Sequence, residues 1–463
     1  MQVSRFAVAF ALTVALLSAA ASAQQPATQP AEPTPYELPP GEAARQLTDA
    51  AEEPAEEAAE GPLPLMERET LTDNWFGAGA ALEEKGIFVS LSATQIYQQN
   101  LDGGLSTHRR SGRYSGSYDL ELELDADTLA GLPGGVVYML ASGSWSEGID
   151  ASSVASMFGV NGDATGNRSI DVWELWYEQS LWADHVRIRA GKIDLTGGFE
   201  CRGCAVAFDG NAFANDETAQ FLNSALILNP TIPFPDNGLG AAVYVQPLEW
   251  WYVSAGFADA QADFRETGFN TAFHDEDHFF AVFETGVTPR LPSSRGELQG
   301  AYRVGTWYDP QPKDRFDGRG VERDDMGLYV SLDQMVLKEN TAEHDTQGLG
   351  LFARGGWADD DINLIRCFWS AGAQYQGLVE GRDADVLAFG VAQGRFTDEL
   401  DDVRFLVKDD LRRVQSHETA MELYYNIEVA PWVHVTPSVQ YIFNPSGLLD
   451  DAVVVGLRVQ MSF

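Results

Sequence analysis

Basic residues are scarce in this sequence. Lys and Arg number 30 against 69 Asp and Glu, a formal net charge of -39. A phosphate-binding surface needs clustered cations, so nucleic acid is excluded as a partner. Cysteine is scarcer still, with three in the chain. Cys201 and Cys204 form the pair CRGC, and Cys367 stands apart. The pair reads as a tight disulfide in an oxidising compartment, or as part of a metal site completed by other ligands. No second pair and no nearby His-x-x-x-His supplies the four ligands of a zinc centre, so no cofactor is expected. Nor does the chain after its first two dozen residues contain a run of ~18 apolar residues, which excludes a membrane-spanning helix. Neither a nucleophile elbow nor HExxH occurs, and no enzymatic activity is expected.

What is present begins with a leader. Arg5 precedes FAVAFALTVALLSAAASA, and Ala21-Ser22-Ala23 is a small-residue cleavage pattern, so residues 1–23 read as a secretory signal. Residues 24–72 follow as an acidic Pro/Ala-rich spacer that cannot bury a core, expected in the periplasm and available for contact with the cell wall or a periplasmic partner.

From Gly86 onward amphipathic runs recur. They fall at 86–98, 113–127, 135–145, 168–181, 185–194, 238–246, 250–259, 278–288, 296–308, 326–337, 346–357, 367–378, 385–394, 416–429, 432–443 and 451–463, sixteen in all. In YDLELELD the residues Tyr118, Leu120, Leu122 and Leu124 alternate with Asp119, Glu121, Glu123 and Asp125. In DAVVVGLRVQMSF, Val453, Val455, Leu457, Val459, Met461 and Phe463 share one face. Such alternation is the mark of a strand with one apolar and one polar side. Short connections (GLPG, ADH, LEW, APW) alternate with long ones (146–167, 195–237, 260–277, 395–415). This asymmetry predicts an all-β fold: a 16-stranded antiparallel transmembrane β-barrel over 73–463, with short periplasmic turns, long extracellular loops and a short N-terminal helix at about 74–84. Sixteen strands enclose a lumen too wide for wall side chains to fill, so the polar face is the inner one. Trp182, Trp250, Trp251 and Trp432 flank short turns, whereas Trp145, Trp307 and Trp357 meet long loops, as two interfacial girdles require. In lipid the last strand must pair with the first, which places Phe463 in the periplasmic girdle.

Three segments carry a resemblance. NAFANDETAQFLNSALILNPTIPFPDNGLGAAVYVQPLEWWYVSAGFADAQAD at 211–263 resembles the signature region of carbohydrate-selective porins of the OprB type. DNWFGAGAALEEKGIFVSLSATQIYQQN at 73–100 resembles their entry helix and first strand, and VAPWVHVTPSVQYIFNPSG with DAVVVGLRVQMSF their final hairpin. The likeness spans roughly residues 72–463; the acidic leader and CRGC depart from it. It implies a passive diffusion channel for mono- or oligosaccharides in the bacterial outer membrane.

The residues bear on the same question independently. The longest connection, 195–237, is long enough to fold into the lumen and constrict it. It offers Asp209, Asn211, Asn215, Asp216, Gln220 and Asn223, interleaved with Phe208, Phe213 and Phe221. Strand parity points Arg187, Arg189, Arg303, Arg354 and Arg458 inward, together with Glu121, Glu123, Glu174, Glu422, Glu428 and Trp176. A neutral sugar needs mixed donors and acceptors and an aromatic surface, whereas an ion pore shows rings of one sign. Small neutral sugars are therefore the expected solutes and outer-membrane lipid the expected surround, with a general porin for small hydrophilic solutes as the competing reading. An enzyme using FHDEDH (His274, Asp275, Asp277, His278) and an adhesive or structural barrel, with 24–70 as its tether and Asp359–Asp361 as a candidate Ca²⁺ ligand run, are the remaining alternatives.

Overall fold

The computed structural model describes residues 63–463, apart from 167, 201–212, 274–275, 342–345, 401–402 and 408–409. The leader, most of the acidic spacer, CRGC, Asp209, Asn211, His274 and Asp275 lie outside the described residues.

Each of the sixteen runs is a strand. The first eight are β1 (Ile87–Asp102), β2 (Gly112–Asp125), β3 (Gly135–Trp145), β4 (Asp171–Leu181), β5 (Val186–Ile193), β6 (Gly238–Leu248), β7 (Trp251–Asp259) and β8 (Phe279–Val287). The rest are β9 (Gly296–Asp309), β10 (Asp325–Lys338), β11 (Gly348–Ala358), β12 (Ile365–Gln376), β13 (Val386–Phe396), β14 (His417–Ala430), β15 (Val433–Phe443) and β16 (Ala452–Ser462). Every neighbouring pair is antiparallel, and β1 pairs with both β2 and β16, so the sheet closes on itself. Gln95 faces Val459 and Tyr97 faces Leu457 across the seam. Closure pairs the backbone polar groups that an open edge would leave exposed to lipid.

The faces follow the alternation. On β16, Arg458 is 1% exposed while Leu457 is 46% exposed. On β5, Arg187 and Arg189 are buried and Ile188 is open to the outside. The outward band carries Tyr97, Leu175, Phe257, Phe283, Leu351, Phe389 and Leu423, as a lipid-facing surface requires. Trp182, Trp250 and Trp251 sit exposed at the turn end, and Trp357 at the loop end. Trp145 stacks on outward Tyr118. Trp307 departs from the expected girdle: it is 1% exposed and stacks on Phe280 in the interior. It shares parity with inward Arg303, and that parity overrides its place beside a long loop.

The N-terminal helix is shorter than expected. Asp73–Phe76 form a turn with positive φ throughout, ended by Gly77 at φ 83, and a right-handed helix, α1, covers only Ala78–Glu83. The turn is held by Thr72, whose hydroxyl accepts from the Trp75 amide at 3.0 Å, and by the Trp75 indole, which donates to the Val89 carbonyl at 2.9 Å. At the other end of β2 the predicted run 113–127 stops at Asp125, whose carboxylate caps a helix, α2 (Ala126–Ala130), by accepting from the Asp127 amide. Two hairpins in long loops carry no barrel strand: Lys313–Asp314 with Val321–Glu322, and Arg404–Val407 with Asp410–Arg413.

The lumen is not lined by polar groups alone. The connection between β5 and β6 folds inside and brings its own apolar core. Phe213, Phe221, Leu226 and Ile227 pack with Phe352, Phe368, Ala388 and Tyr424 of the wall, and the first three are fully buried. Burying each such side chain contributes about 1.5–3 kcal/mol, which helps offset the entropy of fixing a long loop.

Candidate functional site

The constriction is built by clips between that loop and the wall. Phe213 N donates to Asp333 Oδ1 at 3.1 Å, and Gln374 Nε2 donates to the Phe213 carbonyl at 2.6 Å. Glu422 accepts from the amides of Leu222 and Asn223, and Asn223 Nδ2 donates to Gln440 Oε1 at 3.0 Å. Glu284 accepts from the Glu200 amide at 2.6 Å while its other oxygen accepts from the Tyr252 hydroxyl. These partners stand on β8, β10, β12, β14 and β15.

Three of the predicted channel arginines serve the same purpose. Arg303 donates to the Glu200 carbonyl at 2.5 Å and pairs with Asp333 at 2.9 Å. Arg354 donates to the Ile227 carbonyl at 2.8 Å. Arg458 donates to the carbonyls of Glu217 and Ala219 at 2.9 and 2.8 Å. Hydrogen bonds from a charged donor are worth about 1.5–3 kcal/mol, and here they seat the loop. Asn223 is fully buried, with its side-chain oxygen capping Ala225; Gln220 is 2% exposed and accepts from the Asn215 amide. Both are braces of the loop.

The opposite wall holds the other predicted residues. Glu178 on β4 accepts from Arg187 and Arg189 on β5, each at 3.0 Å. The Arg189 guanidinium lies 3.8 Å from the centroid of Trp176, and Tyr138 stacks on the same indole at 4.8 Å. Trp176 donates to Glu174 at 2.9 Å. At 4% exposure Trp176 offers no free face to a sugar ring, so the expected stacking surface is already occupied by its neighbours. Arg187 keeps one buried nitrogen, Nη2, without a hydrogen-bond partner.

Several acids are half-open. Asp119 and Glu121 on β2, and Asn215, Asp216 and Glu217 on the loop, retain partial exposure, whereas all five arginines are buried. Glu217, in the loop, is pushed up to about 8 by burial and then by the Asp216 carboxylate. Parity marks Asp119 and Glu121 in the sequence; Tyr138, Tyr244, Gln374 and Gln440 also alternate inward but carry no charge to draw notice. Among the described residues no group of His, Cys, Asp and Glu is arranged to hold a metal. Asp360 and Asp361 are engaged by Arg366 and Arg315, which accounts for that acidic run.

A closed sixteen-stranded barrel with an apolar exterior and a loop clipped across its lumen is an outer-membrane porin. The chain belongs to the carbohydrate-selective porin, OprB family, which it matches over residues 109–463. It is 24% identical over 439 residues to Porin B of Pseudomonas aeruginosa, spanning 84% of this chain and 90% of that one. It is 22% identical over 426 residues to the putative porin QuiX of Acinetobacter baylyi, spanning 86% and 94%. The high-pH structure of Pseudomonas putida OprB superimposes with a TM-score of 0.74 at 21% identity, covering 88% of this chain and all of that one.

Proposed function

We propose that this porin passes neutral mono- and small oligosaccharides by passive diffusion, through the gap between loop residues 215–217 and the wall of β2–β5. The observation that carries this reading is the array of half-open acids, Asp119, Glu121, Asp216 and Glu217, backed by buried arginines. Sugar hydroxyls donate to such oxygens. Binding has to stay weak for release, at millimolar affinity or about -4 kcal/mol. Residues 1–23 act as the export signal and 24–72 as an acidic periplasmic spacer, a reading supported by their composition.

Uptake of sugars and of amino acids of similar size into proteoliposomes tests the proposal. Monosaccharides are expected to enter faster; equal rates would leave a general porin.

A further inference from the structure

Residues 260–273, in the connection between β7 and β8, stand at the long-loop end of the barrel but do not turn toward the lumen. Lys192, near the end of β5, shows where they go. Across the ladder it pairs with Leu175 of β4 and Leu239 of β6, and Leu175 is 50% exposed on the outer face. Ile188, one alternate pair earlier on β5, is open to the same side. Lys192 therefore leaves the wall toward lipid, opposite to Arg187 and Arg189. It is nonetheless only 5% exposed. Its ammonium donates to the carbonyls of Val172, Phe264 and Glu266 at 2.8, 2.5 and 2.6 Å. Two of these three acceptors belong to the β7–β8 connection.

The same stretch is seated at two more points. The Phe264 ring lies 5.2 Å from that of Trp173 on β4. Gly268 sits so close over Leu239 that a Cβ there would lie 2.8 Å from the Leu239 Cγ. The chain thus runs sideways from β7 to β4 and returns over β6, on the outside of the wall. A short helix, Phe269–Ala272, follows. Phe269 and Phe273 stack with ring centroids 6.3 Å apart, and they are 65% and 66% exposed. On the two strands that the connection joins, Phe257 and Phe279 meet edge to face at 5.9 Å in the outward band.

We infer that this loop is a lipid-binding element: Lys192 holds it on the outer wall, and Phe269 and Phe273 enter the acyl region of the outer leaflet just below the head groups. The surface beneath the loop is the lipid-facing side of the barrel, so the two rings continue that band. Apolar rings presented by a short amphipathic stretch at this depth gain burial among acyl chains that water denies them. A lid over the lumen is ruled out by the outward direction of Lys192 and Leu239. A second copy of the chain is the poorer occupant. Two phenylalanines bury about 150–250 Å² each, well short of the ~800 Å² per partner in a stable pair. The inference is independent of the solute that the channel passes.

The test places 4-trifluoromethylphenylalanine at position 269 or 273 of the full chain in phosphatidylcholine nanodiscs and reads its fluorine resonance. Two broadening agents are compared: a lipid with a nitroxide just below its head group, and a water-soluble gadolinium chelate. Phe389 on the lipid-facing wall and Phe316, exposed in an extracellular hairpin, give the lipid and water references when labelled in the same way. Positions 269 and 273 are expected to follow 389, broadened severalfold more by the lipid than by the chelate. Broadening like that of 316 at either position would put the rings in water and overturn the inference. Protection from both agents would mean that protein covers them, which overturns it as well. In Lys192→Met both signals should move toward the behaviour of 316; lipid contact kept without Lys192 would overturn its part in holding the loop.

Discussion

Arg458 on β16 donates from Nη2 to the main-chain oxygen of Ala219 at 2.8 Å, joining the closing strand of the barrel to the loop that narrows it. A side chain expected to bind solute is thereby a strut. Its Nη1 reaches Glu217 in the same way, so one guanidinium fixes the stretch that carries the half-open acids.

Removing that strut should widen the pore. Arg458→Ala deletes two charge-assisted bonds, a loss of about 3–6 kcal/mol shared with relaxation of the loop. Single-channel conductance is expected to rise severalfold while the barrel keeps its heat-modifiable migration on gels. Conductance equal to that of the native protein would mean that the remaining clips hold the loop without Arg458.

The wall also makes room for the loop at glycines. A Cβ at Gly350 would overlap the Phe213 ring, and one at Gly390 would lie 2.8 Å from Leu226 and 3.0 Å from Phe221. Gly350→Ala should therefore cost about 1–3 kcal/mol by overpacking. The expected readout is a noisier channel of higher conductance, with unchanged strand content by circular dichroism.

Glu178 holds two arginines, and the pair of substitutions Arg187→Ala and Arg189→Ala leaves it buried without a partner. Stripping the cations from such a site costs about 3–5 kcal/mol. The melting temperature should fall, and sugar flux should drop more than ionic conductance, since the remaining wall becomes more negative and still admits cations. Sugar flux that falls only in proportion to conductance would assign the two arginines to the framework alone.

Glu217 gives the channel a pH signature. Its folded value is raised from 4.5 to about 8, so between those limits the folded chain holds a proton that the unfolded chain has lost. The seat it provides is fully present below about 4.5 and is lost as pH rises through about 8. Ionisation there adds a negative charge to the constriction. Cation selectivity, read from zero-current potentials, should increase as pH rises through about 8, and Glu217→Gln should flatten the increase.

Most of the barrel is legible in the sequence because strand alternation is local. Tyr118 to Asp125 and Val453 to Met461 declare their faces within eight or nine residues, and the length of 195–237 announces a loop that must go somewhere. The roles of the arginines are not legible. Arg354 meets Ile227 and Arg303 meets Glu200, and in both cases the acceptor is a main-chain oxygen. Every residue has such an oxygen, so no pattern marks the partner. Parity places a side chain inside the barrel; it does not say whether water or a folded loop awaits it there. Trp176 illustrates the same limit, since Tyr138 and Arg189 come to it from neighbouring strands.

The direction of the clips has a temporal consequence. The inserted loop leaves from β5 and returns into β6, and apart from main-chain bonds to Gly159 and Gly162 the anchors described above lie later in the chain: Glu284, Asp333, Arg354, Gln374, Glu422, Gln440 and Arg458. The separations run from 84 residues for Glu200 with Glu284 to 241 for Glu217 with Arg458. Contacts that distant form late, because the intervening chain must be ordered first. The loop therefore lacks most of its seat while the early strands stand alone. A nascent barrel would pass through a wide, unselective stage, and the filter would be the last part of the molecule to mature.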